Sequence, residues 1–474
     1  MSSASSPLRV AIIGSGPSAF YAADFLFKQT DWDVEIDMFE RLPTPFGLVR
    51  GGVAPDHPKI KSVIKAYERT ASHANFRFYG NVTFGRDITR ADIQAHYHAV
   101  IYAVGAQTDR QMGIPGEDLP GSHAATEFVG WYNGHPDFRD LEFDLSQERV
   151  VVIGNGNVAT DVARMLARTP DELYQTDIAP HALDALSRSN IKEIIVLGRR
   201  GPVQAKFTNS ELKELGEMAD AAIIVDLAEL KLDPLSEEFL LSGEDRIAER
   251  NYQTLTRFSE QPDQHRARKI VMRFLRSPVE LIGTDRVEAI RVVKNEICER
   301  AHFLSPCPTE DFETDPAGLV FRSIGYQGVP LPGVSFDAER SIIPNEQGRV
   351  VTENGEVIRG EYAVGWIKRG PSGIIGTNKP DAQETTTLVL EDVAAGNLLA
   401  PAKPARSAVE HMLKQRGTRY VTYEDWQILD RIEIERGQAI GRPRLKFTRV
   451  DDMLAAIDAH KRERLAEPAH LAAR

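Results

Sequence analysis

The chain has 474 residues, and its 57 basic and 69 acidic side chains leave a formal net charge of −12 at pH 7. At roughly 150 residues per domain, this length predicts two or three domains and enough chain to bury a large core. An acidic balance argues against general nucleic-acid binding, which needs a broad basic surface. The composition, 42% hydrophobic and 27% charged, is that of a globular protein. No run of residues approaches the ~20 apolar positions of a membrane span.

The two cysteines of the chain limit its chemistry. Cys298 and Cys307 are too few for a disulfide scaffold, a four-cysteine zinc site or an internally ligated iron–sulfur cluster. Their spacing also differs from that of a C-x-x-C redox pair. The polar residues 1–7 directly precede the first strand, which leaves no room for a secretory signal or an organellar presequence. We therefore expect no metal centre and a cytoplasmic location.

The first predicted element is the apolar strand 8–13, which ends at the glycine turn Gly14-Ser15-Gly16-Pro17-Ser18-Ala19. Helical composition follows, and residues 33–39 then alternate apolar and polar side chains as a second strand. A helix N-terminus behind a tight glycine turn presents free backbone N–H groups to a pyrophosphate. Glu40 follows the second strand, where a carboxylate is placed to bind the ribose hydroxyls of an adenosine. This segment predicts a dinucleotide site of the FAD type.

The same pattern begins again in the middle of the chain. Strand 149–153 leads into the turn Gly154-Asn155-Gly156-Asn157-Val158-Ala159 and a helix. The next clear strand, 193–197, is followed by Arg199 and Arg200 rather than by an acid. Two guanidinium groups pair with a 2′-phosphate, which a carboxylate at this position would repel. The second segment therefore predicts an NADP site.

Strands that alternate with helices predict parallel, doubly wound sheets. Each glycine turn opens its own βαβ unit, so the predicted fold class is α/β with two Rossmann-like dinucleotide-binding domains. The late apolar run 362–367 is too short for a separate domain and fits a return to the first one. We expect a discontinuous FAD-binding domain over 1–108 and 361–474, with a helical C-terminal tail, and an NADP-binding domain inserted over 109–360.

Several strings of the sequence resemble those of adrenodoxin reductase and its bacterial ferredoxin–NADP reductase relatives, in one order through nearly the whole chain. These strings are 14–22, 39–58, 154–161, 198–202, 207–212, 274–278, 323–326 and 365–379. The last of them is highly specific. The resemblance implies a monomeric flavoprotein that transfers hydride from NADPH to FAD. Single electrons would then pass to a ferredoxin-type iron–sulfur protein, in a process that is open to reversal.

The resemblance also assigns contacts to each cofactor. It places against FAD the residues Gly14, Gly16, Ser18, Ala19, Glu40, Gly47, Leu48 and Val82, with Trp366, Gly373, Ile374 and Ile375 closing over the flavin. It places against NADP the residues Asn155, Gly156, Asn157, Val158, Arg199 and Arg200, and puts Glu211 at a ribose hydroxyl or beside the arginines. A glycine at 373 also suits a close approach of the nicotinamide, because a bare backbone leaves space for it.

Three titratable residues are candidates for tuning the reaction. The resemblance places His57 near the flavin, to handle protons or help seat the acceptor, while a loop histidine bonded to backbone is the alternative. Asp161 lies one helical turn after Asn157 and either pairs with His57, supports the nicotinamide or is a helix-surface acid. Glu214, one turn beyond Glu211, is a weaker candidate for that acid. Hydride transfer needs no side-chain nucleophile, so these residues would tune the reaction.

A basic cluster stands out in this acidic chain. Residues 265–276 contain no acid and five positive charges, carried by Arg266, Arg268, Lys269, Arg273 and Arg276. A solvated face is the usual fate of such a run. The interpretation that we favour is a local patch that steers and orients an acidic iron–sulfur carrier.

Three other functions compete with this hypothesis. A disulfide reductase needs a redox-active cysteine pair beside the flavin, and Cys298 and Cys307 have the wrong spacing for one. A flavoprotein related to the small subunit of glutamate synthase would carry a cysteine-rich N-terminal cluster domain. A non-catalytic NADP/FAD-binding module is the third alternative, and the intact string 365–379 argues against it.

Overall fold

The computed structural model describes residues 7–262, 265–301 and 303–466. The polar N-terminal residues 1–6 and the last part of the C-terminal tail, 467–474, lie outside these ranges. Two large sheets, each covered by helices, organise the described chain. No helix within these ranges is both long and apolar enough to cross a membrane.

The strands of the two large sheets are mostly short and aliphatic, as expected where both faces of a parallel sheet are covered. In chain order the strands are β1 Leu8–Ile13, β2 Val34–Phe39, β3 Phe76–Tyr79, β4 Ala99–Tyr102, β5 Thr108–Asp109, β6 Ser122–Ala124, β7 Arg149–Ile153, β8 Glu193–Leu197, β9 Ala221–Val225, β10 Arg268–Arg273, β11 Arg276–Ile282, β12 Ala289–Arg300, β13 Phe303–Pro316, β14 Leu319–Arg322, β15 Tyr326–Gln327, β16 Asn345–Glu346, β17 Arg349–Val351 and β18 Val357–Ala363.

Helices fill the crossovers between the parallel strands and the C-terminal tail. In chain order they are α1 Pro17–Lys28, α2 Leu48–Gly51, α3 Pro58–Lys61, α4 Ile64–Ala71, α5 Arg90–His96, α6 Ala125–Tyr132, α7 Asn157–Ala167, α8 Pro170–Tyr174, α9 Pro180–Ser187, α10 Asn209–Glu214, α11 Pro234–Leu241, α12 Arg246–Ser259, α13 Trp366–Arg369, α14 Asn378–Ala395, α15 Arg406–Gln415, α16 Tyr423–Gln438 and α17 Val450–Ala466. Short 3₁₀ turns lie at Pro202–Gln204, Leu227–Leu230 and Ile375–Thr377.

The first sheet has the strand order β16-β17-β18-β4-β1-β2-β3 and is parallel from β18 to β3. All six residues of β1 are buried at its centre, and α1 packs beside α14 over one face. We call this sheet and its helices the first lobe. Because β1 ends at the carboxyl edge of the sheet, the turn that begins at Gly14 lies where nucleotides bind in open α/β folds.

The second sheet is parallel throughout, in the order β6-β14-β7-β8-β10-β9, and it forms the second lobe with its helices. An antiparallel sheet β11-β12-β13 extends from this lobe. The chain passes between the two lobes twice, once at β5 and once at β15. These two short strands pair with each other and form an antiparallel ribbon, which we call the crossing ribbon. Two doubly wound sheets confirm the predicted fold class.

The chain returns to the first sheet earlier than the predicted boundary at residue 361. Strands β16 and β17 form a hairpin that pairs with β18 and belongs to the first sheet. These strands have two and three residues, too few for an alternating pattern to be recognised in the sequence. The exact limits of the two predicted domains otherwise stay a prediction.

The C-terminal tail joins the lobes. Helices α16 and α17 contribute Trp426, Leu429 and Ile457 to the core beside the first sheet. The segment 439–449 between these helices extends to the second lobe, where the Arg442 guanidinium donates a hydrogen bond to the Thr176 carbonyl at 3.2 Å. The tail therefore packs in one lobe and contacts the other.

Candidate functional site

The first glycine turn leaves space in front of a helix N-terminus. Gly14 has φ +101°, and a Cβ atom there would lie 2.6 Å from the Ala103 carbonyl oxygen. At Gly16 a Cβ atom would meet nothing within 4 Å, so the space ahead of α1 is open. The Glu40 carboxylate borders this space, because it accepts hydrogen bonds from the Ser15 backbone N–H at 3.2 Å and the Ser15 hydroxyl at 2.7 Å. An open helix end beside a carboxylate fits an adenosine pyrophosphate with free ribose hydroxyls.

A neighbouring loop closes over this turn. Gly47, at φ +48°, comes so close that a Cβ atom would lie 2.9 Å from the Gly16 Cα. Leu48 follows it, half-buried, at the start of α2. Val82 is buried and donates its backbone N–H to the Glu40 carbonyl at 2.9 Å. The structure thus brings Gly47, Leu48 and Val82 to the predicted FAD site.

The returning segment of the chain also meets this turn. Ser18 packs on Gly365, where a Cβ atom would lie 2.6 Å from the Ser18 hydroxyl oxygen, while Ala19 is fully buried beneath the turn. Trp366 is half-buried and packs against Tyr326 with the two rings tilted at 46° and their centroids 5.3 Å apart. Tyr326 belongs to the crossing ribbon, so this aromatic pair joins segments from both lobes.

The glycine-rich string after Trp366 is partly open. Gly373 has φ +80°, and a Cβ atom there would lie 2.5 Å from the Thr377 hydroxyl oxygen. Ile374 is 59% exposed, a large fraction for an isoleucine, and Ile375 is half-buried. The exposed apolar edge at Ile374 and the crowded backbone at Gly373 fit a planar group lying against this segment.

The second glycine turn repeats the geometry of the first. Gly154 has φ +140°, and a Cβ atom there would lie 2.2 Å from the Ser323 carbonyl oxygen. At Gly156 a Cβ atom would again meet nothing within 4 Å, ahead of α7. The Asn157 side-chain oxygen accepts the Thr208 backbone N–H at 2.8 Å, and Val158 follows in the first turn of the helix.

Asn155 and the two arginines lie at the ends of β7 and β8. The Asn155 side chain contacts Gly198, because a Cβ atom there would overlap its amide group. Arg199 is exposed, and the buried Nε of Arg200 has no hydrogen-bond partner among the described residues. Burial and the charge of Arg199 lower the pKa of Arg200. Neither arginine pairs with a carboxylate of the described residues, so two adjacent cations remain to bind an anion.

A buried charge cluster connects the two lobes. The His57 Nε2 atom lies 2.6 Å from a Glu214 carboxylate oxygen and 3.6 Å from a Glu211 oxygen. His57 belongs to the loop before α3 in the first lobe, while both glutamates belong to α10 in the second. Glu214, the weaker candidate in the sequence, is therefore the direct partner of His57.

Sequence reasoning missed the residue at the centre of this cluster. Arg164 in α7 has a fully buried side chain and donates to Asp56 at 2.6 Å and to Asp161 at 2.7 Å. Its Nη2 atom also lies 2.8 Å from His57 Nε2. Asp161 meets the cluster through this arginine and is no surface acid. The spacing of Asp161 and Arg164, three residues apart on one helix face, is the signal that would have suggested the pair.

Burial and close charges shift the proton affinities in this cluster. Burial lowers the pKa of His57, but the hydrogen bond to Glu214 and the charges of Asp161 and Glu211 together outweigh burial, and the pKa is raised. Burial and the Asp161 charge raise the pKa of Glu211 to about 7. Burial by itself would raise the pKa of Asp56, but the hydrogen bond with Arg164 and the charge of that arginine lower it to about 2. Shifts of opposite sign among adjacent groups are typical of functional sites.

Ligand atoms of His57, Asp161 and Glu211 all lie within 4.8 Å of one another, a spacing that suits a metal ion. The Arg164 guanidinium already lies among them and neutralises the carboxylates. We therefore assign no metal to these three residues.

The basic cluster 265–276 differs from the expected open patch. Arg273 pairs with Glu313 and with Asp315 at 2.6 Å, and Arg276 pairs with Glu229 at 2.8 Å. These carboxylates are remote in the sequence, on β13 and in the 3₁₀ turn Leu227–Leu230, and they compensate the charge of a run that itself contains no acid.

The other cations of this cluster bind backbone carbonyls or have other partners. Arg268 is half-buried and donates to the carbonyls of Leu166 and Arg168, and Arg266 donates to the carbonyl of Ala219. Lys269 is half-buried on β10 and also has a partner. A continuous, uncompensated basic surface is therefore absent from the described part of 265–276.

The two cysteines lie outside the glycine turns and bond to each other. Cys298 and Cys307 are on the adjacent strands β12 and β13, with Cα atoms 6.1 Å apart. Two cysteines exclude a disulfide scaffold but leave a single bond open, and their spacing in the sequence does not predict one. The antiparallel hairpin, rather than the spacing of the cysteines along the chain, brings them together.

Comparisons with known proteins agree with this geometry. A family model described as pyridine nucleotide-disulphide oxidoreductase matches residues 8–197. NADPH-ferredoxin reductase FprA of Mycobacterium tuberculosis is 46% identical over 457 residues, which cover 94% of this chain and 98% of that protein. Mitochondrial NADPH:adrenodoxin oxidoreductase of Salvelinus fontinalis is 41% identical over 460 residues, covering 95% and 91%.

Solved structures extend the similarity to three dimensions. The structure of Mycobacterium tuberculosis FprA in complex with NADPH matches with a TM-score of 0.90 and 45% identity, over 95% of this chain and 99% of that one. Two nucleotide-binding lobes joined by a shared site define the class as a two-domain pyridine-nucleotide oxidoreductase. Within that class, the chain belongs to the adrenodoxin reductase-type family of NADPH–ferredoxin reductases.

Proposed function

We propose that the chain is an FAD-dependent NADPH–ferredoxin reductase, which oxidises NADPH and passes single electrons to a ferredoxin-type iron–sulfur protein. One observation carries this function. Two glycine turns with open space before their helices carry opposite ribose signatures, Glu40 in the first lobe and Arg199 with Arg200 in the second. Bound FAD supplies the chemistry that links two-electron hydride transfer to one-electron transfer.

In the first lobe, the chain's own groups bind and cover FAD. Backbone N–H groups at Gly16 and the start of α1 bind the pyrophosphate, and the Glu40 carboxylate accepts hydrogen bonds from the ribose. Gly14 and Gly47 allow the backbone to approach without a Cβ clash. Trp366 and the string Gly373–Ile375 exclude water from the flavin side of the site.

In the second lobe, residues at the ends of β7 and β8 select NADPH over NADH and orient it. Asn155, Gly156, Asn157 and Val158 bind the pyrophosphate at the start of α7. The guanidinium groups of Arg199 and Arg200 bind the 2′-phosphate, which distinguishes NADPH from NADH. His57 and Glu214 share a proton at Nε2 within the cluster that joins the lobes, while Glu211 and Asp161 set its electrostatics.

A spectroscopic experiment tests this function. The purified protein should be yellow, with a flavin absorption band that bleaches when NADPH is added without oxygen. Reduction of cytochrome c by the same protein should depend on added ferredoxin, while ferricyanide should be reduced without it. Colourless protein, or a flavin band that NADPH leaves unchanged, would contradict the proposal.

The disulfide reductase remains the rival with the most similar fold. The matching family model includes such enzymes in its description. Their chemistry needs a cysteine pair beside the flavin, whereas Cys298 and Cys307 lie on the separate β12–β13 hairpin. This placement favours the ferredoxin reductase.

The docking surface for the iron–sulfur carrier is a finer part of the proposal. Reversing the charge of Arg273 or Arg276 would break their ion pairs within the second lobe. The exposed Arg266 and the half-buried Lys269 are the cations of the 265–276 cluster that we choose for a charge test. Arg266→Glu with Lys269→Glu should raise the KM for ferredoxin several-fold and leave the ferricyanide rate unchanged. If both rates fall together, or the KM for ferredoxin is unchanged, this surface is not the docking site.

The monomeric state and the cytoplasmic location stay predictions.

A further inference from the structure

Arg164 is a buried cation that bridges the lobes at the point where they meet. It extends from the middle of α7, and none of its side chain is exposed. Its Nε atom donates to Asp56 of the first lobe at 2.6 Å, and its Nη1 atom donates to Glu211 of the second lobe at 3.3 Å. A planar guanidinium with five N–H donors suits such a bridge, because it holds several acceptors in fixed directions.

The Nη2 atom of Arg164 has more acceptors than hydrogens. It carries two N–H groups, but it lies 3.1 Å from an Asp56 oxygen, 2.7 Å from an Asp161 oxygen and 2.8 Å from His57 Nε2. These three acceptors therefore compete for two hydrogens. The contact with His57 is optimal when Nε2 carries no proton, since a guanidinium donates and never accepts.

The contact with Glu214 favours the opposite protonation state of His57 Nε2. Its carboxylate oxygen lies 2.6 Å from His57 Nε2, and a contact this short requires a proton between the two atoms. The same oxygen is 3.6 Å from Arg164 Nη1, so the cation is nearer to the imidazole than to the carboxylate. One proton is thus shared by His57 and Glu214 next to a fixed positive charge.

We propose that Arg164 is a positioning residue that lowers the proton affinity of the His57–Glu214 pair and orients Nε2 toward Glu214. The charged groups that face this pair are Asp56 beside His57, Asp161 and Arg164 from α7, Arg168 directly after α7, and Glu211 from α10. Buried Tyr132 and Tyr326 lie near Asp161. Without Arg164, the fixed charge of this group becomes more negative, and the pair holds its proton to higher pH.

Arg168 offers a matched control for this inference. It directly follows the last residue of α7, four positions after Arg164, is mostly buried, and donates to the same Asp56 at 2.8 Å. Its other carboxylate partner among the described residues is Glu172, at 2.9 Å, and it makes no hydrogen bond or ion pair with His57. Arg168→Met therefore removes a cation and an ion pair from the interface while the contact with His57 Nε2 is kept.

The experiment measures the titration of His57 directly in the FAD-loaded protein. Histidine-labelled protein is titrated by NMR, and the His57 signal is assigned by its loss in His57→Gln. We expect the His57 pKa to rise by about one unit or more in Arg164→Met and in Arg164→Gln. It should stay within about half a unit of the parent value in Arg164→Lys, which keeps the charge, and in Arg168→Met.

A second readout is the pH dependence of flavin bleaching by NADPH in rapid mixing, which should shift upward by the same amount. This kinetic part rests on the proposed function, whereas the NMR titration needs no NADPH. A shifted His57 titration in a protein that fails to oxidise NADPH would therefore reject the function and keep the inference.

Three results would overturn the role of Arg164. One is a parent-like His57 titration in Arg164→Met together with a lower melting temperature, which is the signature of a purely structural residue. Another is an equal shift in Arg168→Met, which would assign the effect to the general field of the interface. A third result applies if neither Arg164→Met nor Arg164→Gln binds FAD, so that only Arg164→Lys can be titrated. A shift of about one unit in the His57 pKa of Arg164→Lys, which retains the positive charge, would contradict the proposal.

Discussion

Glu40 and the Arg199–Arg200 pair give the two nucleotide sites their chemical difference. Glu40 is held by Ser15 at the edge of the first turn, and its carboxylate suits ribose hydroxyls while repelling a phosphate. Arg199 and Arg200 have no carboxylate partner among the described residues, and the buried Nε of Arg200 has no acceptor. Three side chains thus distinguish sites that share one backbone geometry.

Neutralising Arg199 and Arg200 together, as Arg199→Ala and Arg200→Ala, should raise the KM for NADPH by about 100-fold or more. Each charge-assisted hydrogen bond to the 2′-phosphate contributes ~1.5–3 kcal/mol, and a factor of ten corresponds to ~1.4 kcal/mol. The KM for NADH, which lacks this phosphate, should change little. Steady-state kinetics with both nucleotides measure the difference, and an equal loss for both would remove the 2′-phosphate assignment.

Glu211 should make stability depend on pH near neutrality. Burial raises its pKa from the ordinary value of 4.5 to about 7 in the folded chain, so the folded state holds a proton that the unfolded state has lost. The resulting stabilisation is complete below about pH 4.5 and is lost as the pH rises through about 7. In Glu211→Gln this dependence should disappear, so the variant gains melting temperature relative to the parent above pH 7. Parallel pH dependence in the two proteins would contradict this pKa.

At the scale of single elements, the two glycines of each turn have different tasks. Gly154 is held against the Ser323 carbonyl at a positive φ, whereas Gly156 faces open space before α7. The first glycine is needed for the backbone to turn, and the second for the phosphates to approach. The first glycine of the turn is therefore required for folding, and the second is required for nucleotide binding.

Gly156→Ala should leave the melting temperature close to that of the parent and raise the KM for NADPH at least about tenfold, ~1.4 kcal/mol. The added methyl group meets no protein atom within 4 Å and projects into the space that the pyrophosphate needs. Gly154→Ala is the contrasting variant, since its Cβ would lie 2.2 Å from a carbonyl oxygen and should lower the melting temperature as well. Thermal unfolding and kinetics of both variants test the distinction, which fails if they behave alike.

On the scale of the whole molecule, a buried ion-pair group holds the lobes and the tail together. Asp177 of the second lobe accepts hydrogen bonds from Lys61 of the first lobe at 2.6 Å and lies 3.3 Å from Lys446 of the C-terminal segment. Lys446 is almost fully buried, and burial lowers its pKa well below the ordinary value. Because three distant parts of the chain share this group, breaking it affects the arrangement of the lobes.

Asp177→Asn should lower the free energy of unfolding by about 3–5 kcal/mol, because the buried Lys446 and the mostly buried Lys61 lose their counter-charge. Asp137→Asn is the matched control: it breaks the exposed interlobe pair with Arg41 and should cost about 0–1 kcal/mol. Urea unfolding measures both variants at pH 7, and similar losses in the two would contradict the role given to burial.

At acidic pH, the difference in unfolding free energy between Asp177→Asn and the parent protein should disappear. Despite its burial, Asp177 has a pKa held well below the ordinary 3.8 by Lys446 and Lys61. A depressed pKa contributes stability above the unfolded value, and that stability is lost as the pH falls below about 4. The two proteins should therefore converge in unfolding free energy on acidification, and a constant difference down to pH 3 would reject this account.

Local strings of the sequence were sufficient to predict both nucleotide sites. A strand, two glycines and a helix lie within about a dozen residues, so backbone geometry alone places Gly14, Gly16, Gly154 and Gly156. Glu40 and Arg199 follow the next strands, and parallel pairing brings them to the same edge. The predicted fold class and family rest on these local patterns, and both are confirmed.

Only the tertiary structure decided which charges meet. Arg164 and Asp56 are 108 residues apart, and Arg276 and Glu313 are 37 apart, so no local spacing relates them. The first pair completes the cluster around His57, and the second neutralises a run that in the sequence is purely basic. Backbone turns are encoded by neighbouring residues, whereas the charge that a side chain experiences depends on what packing brings against it.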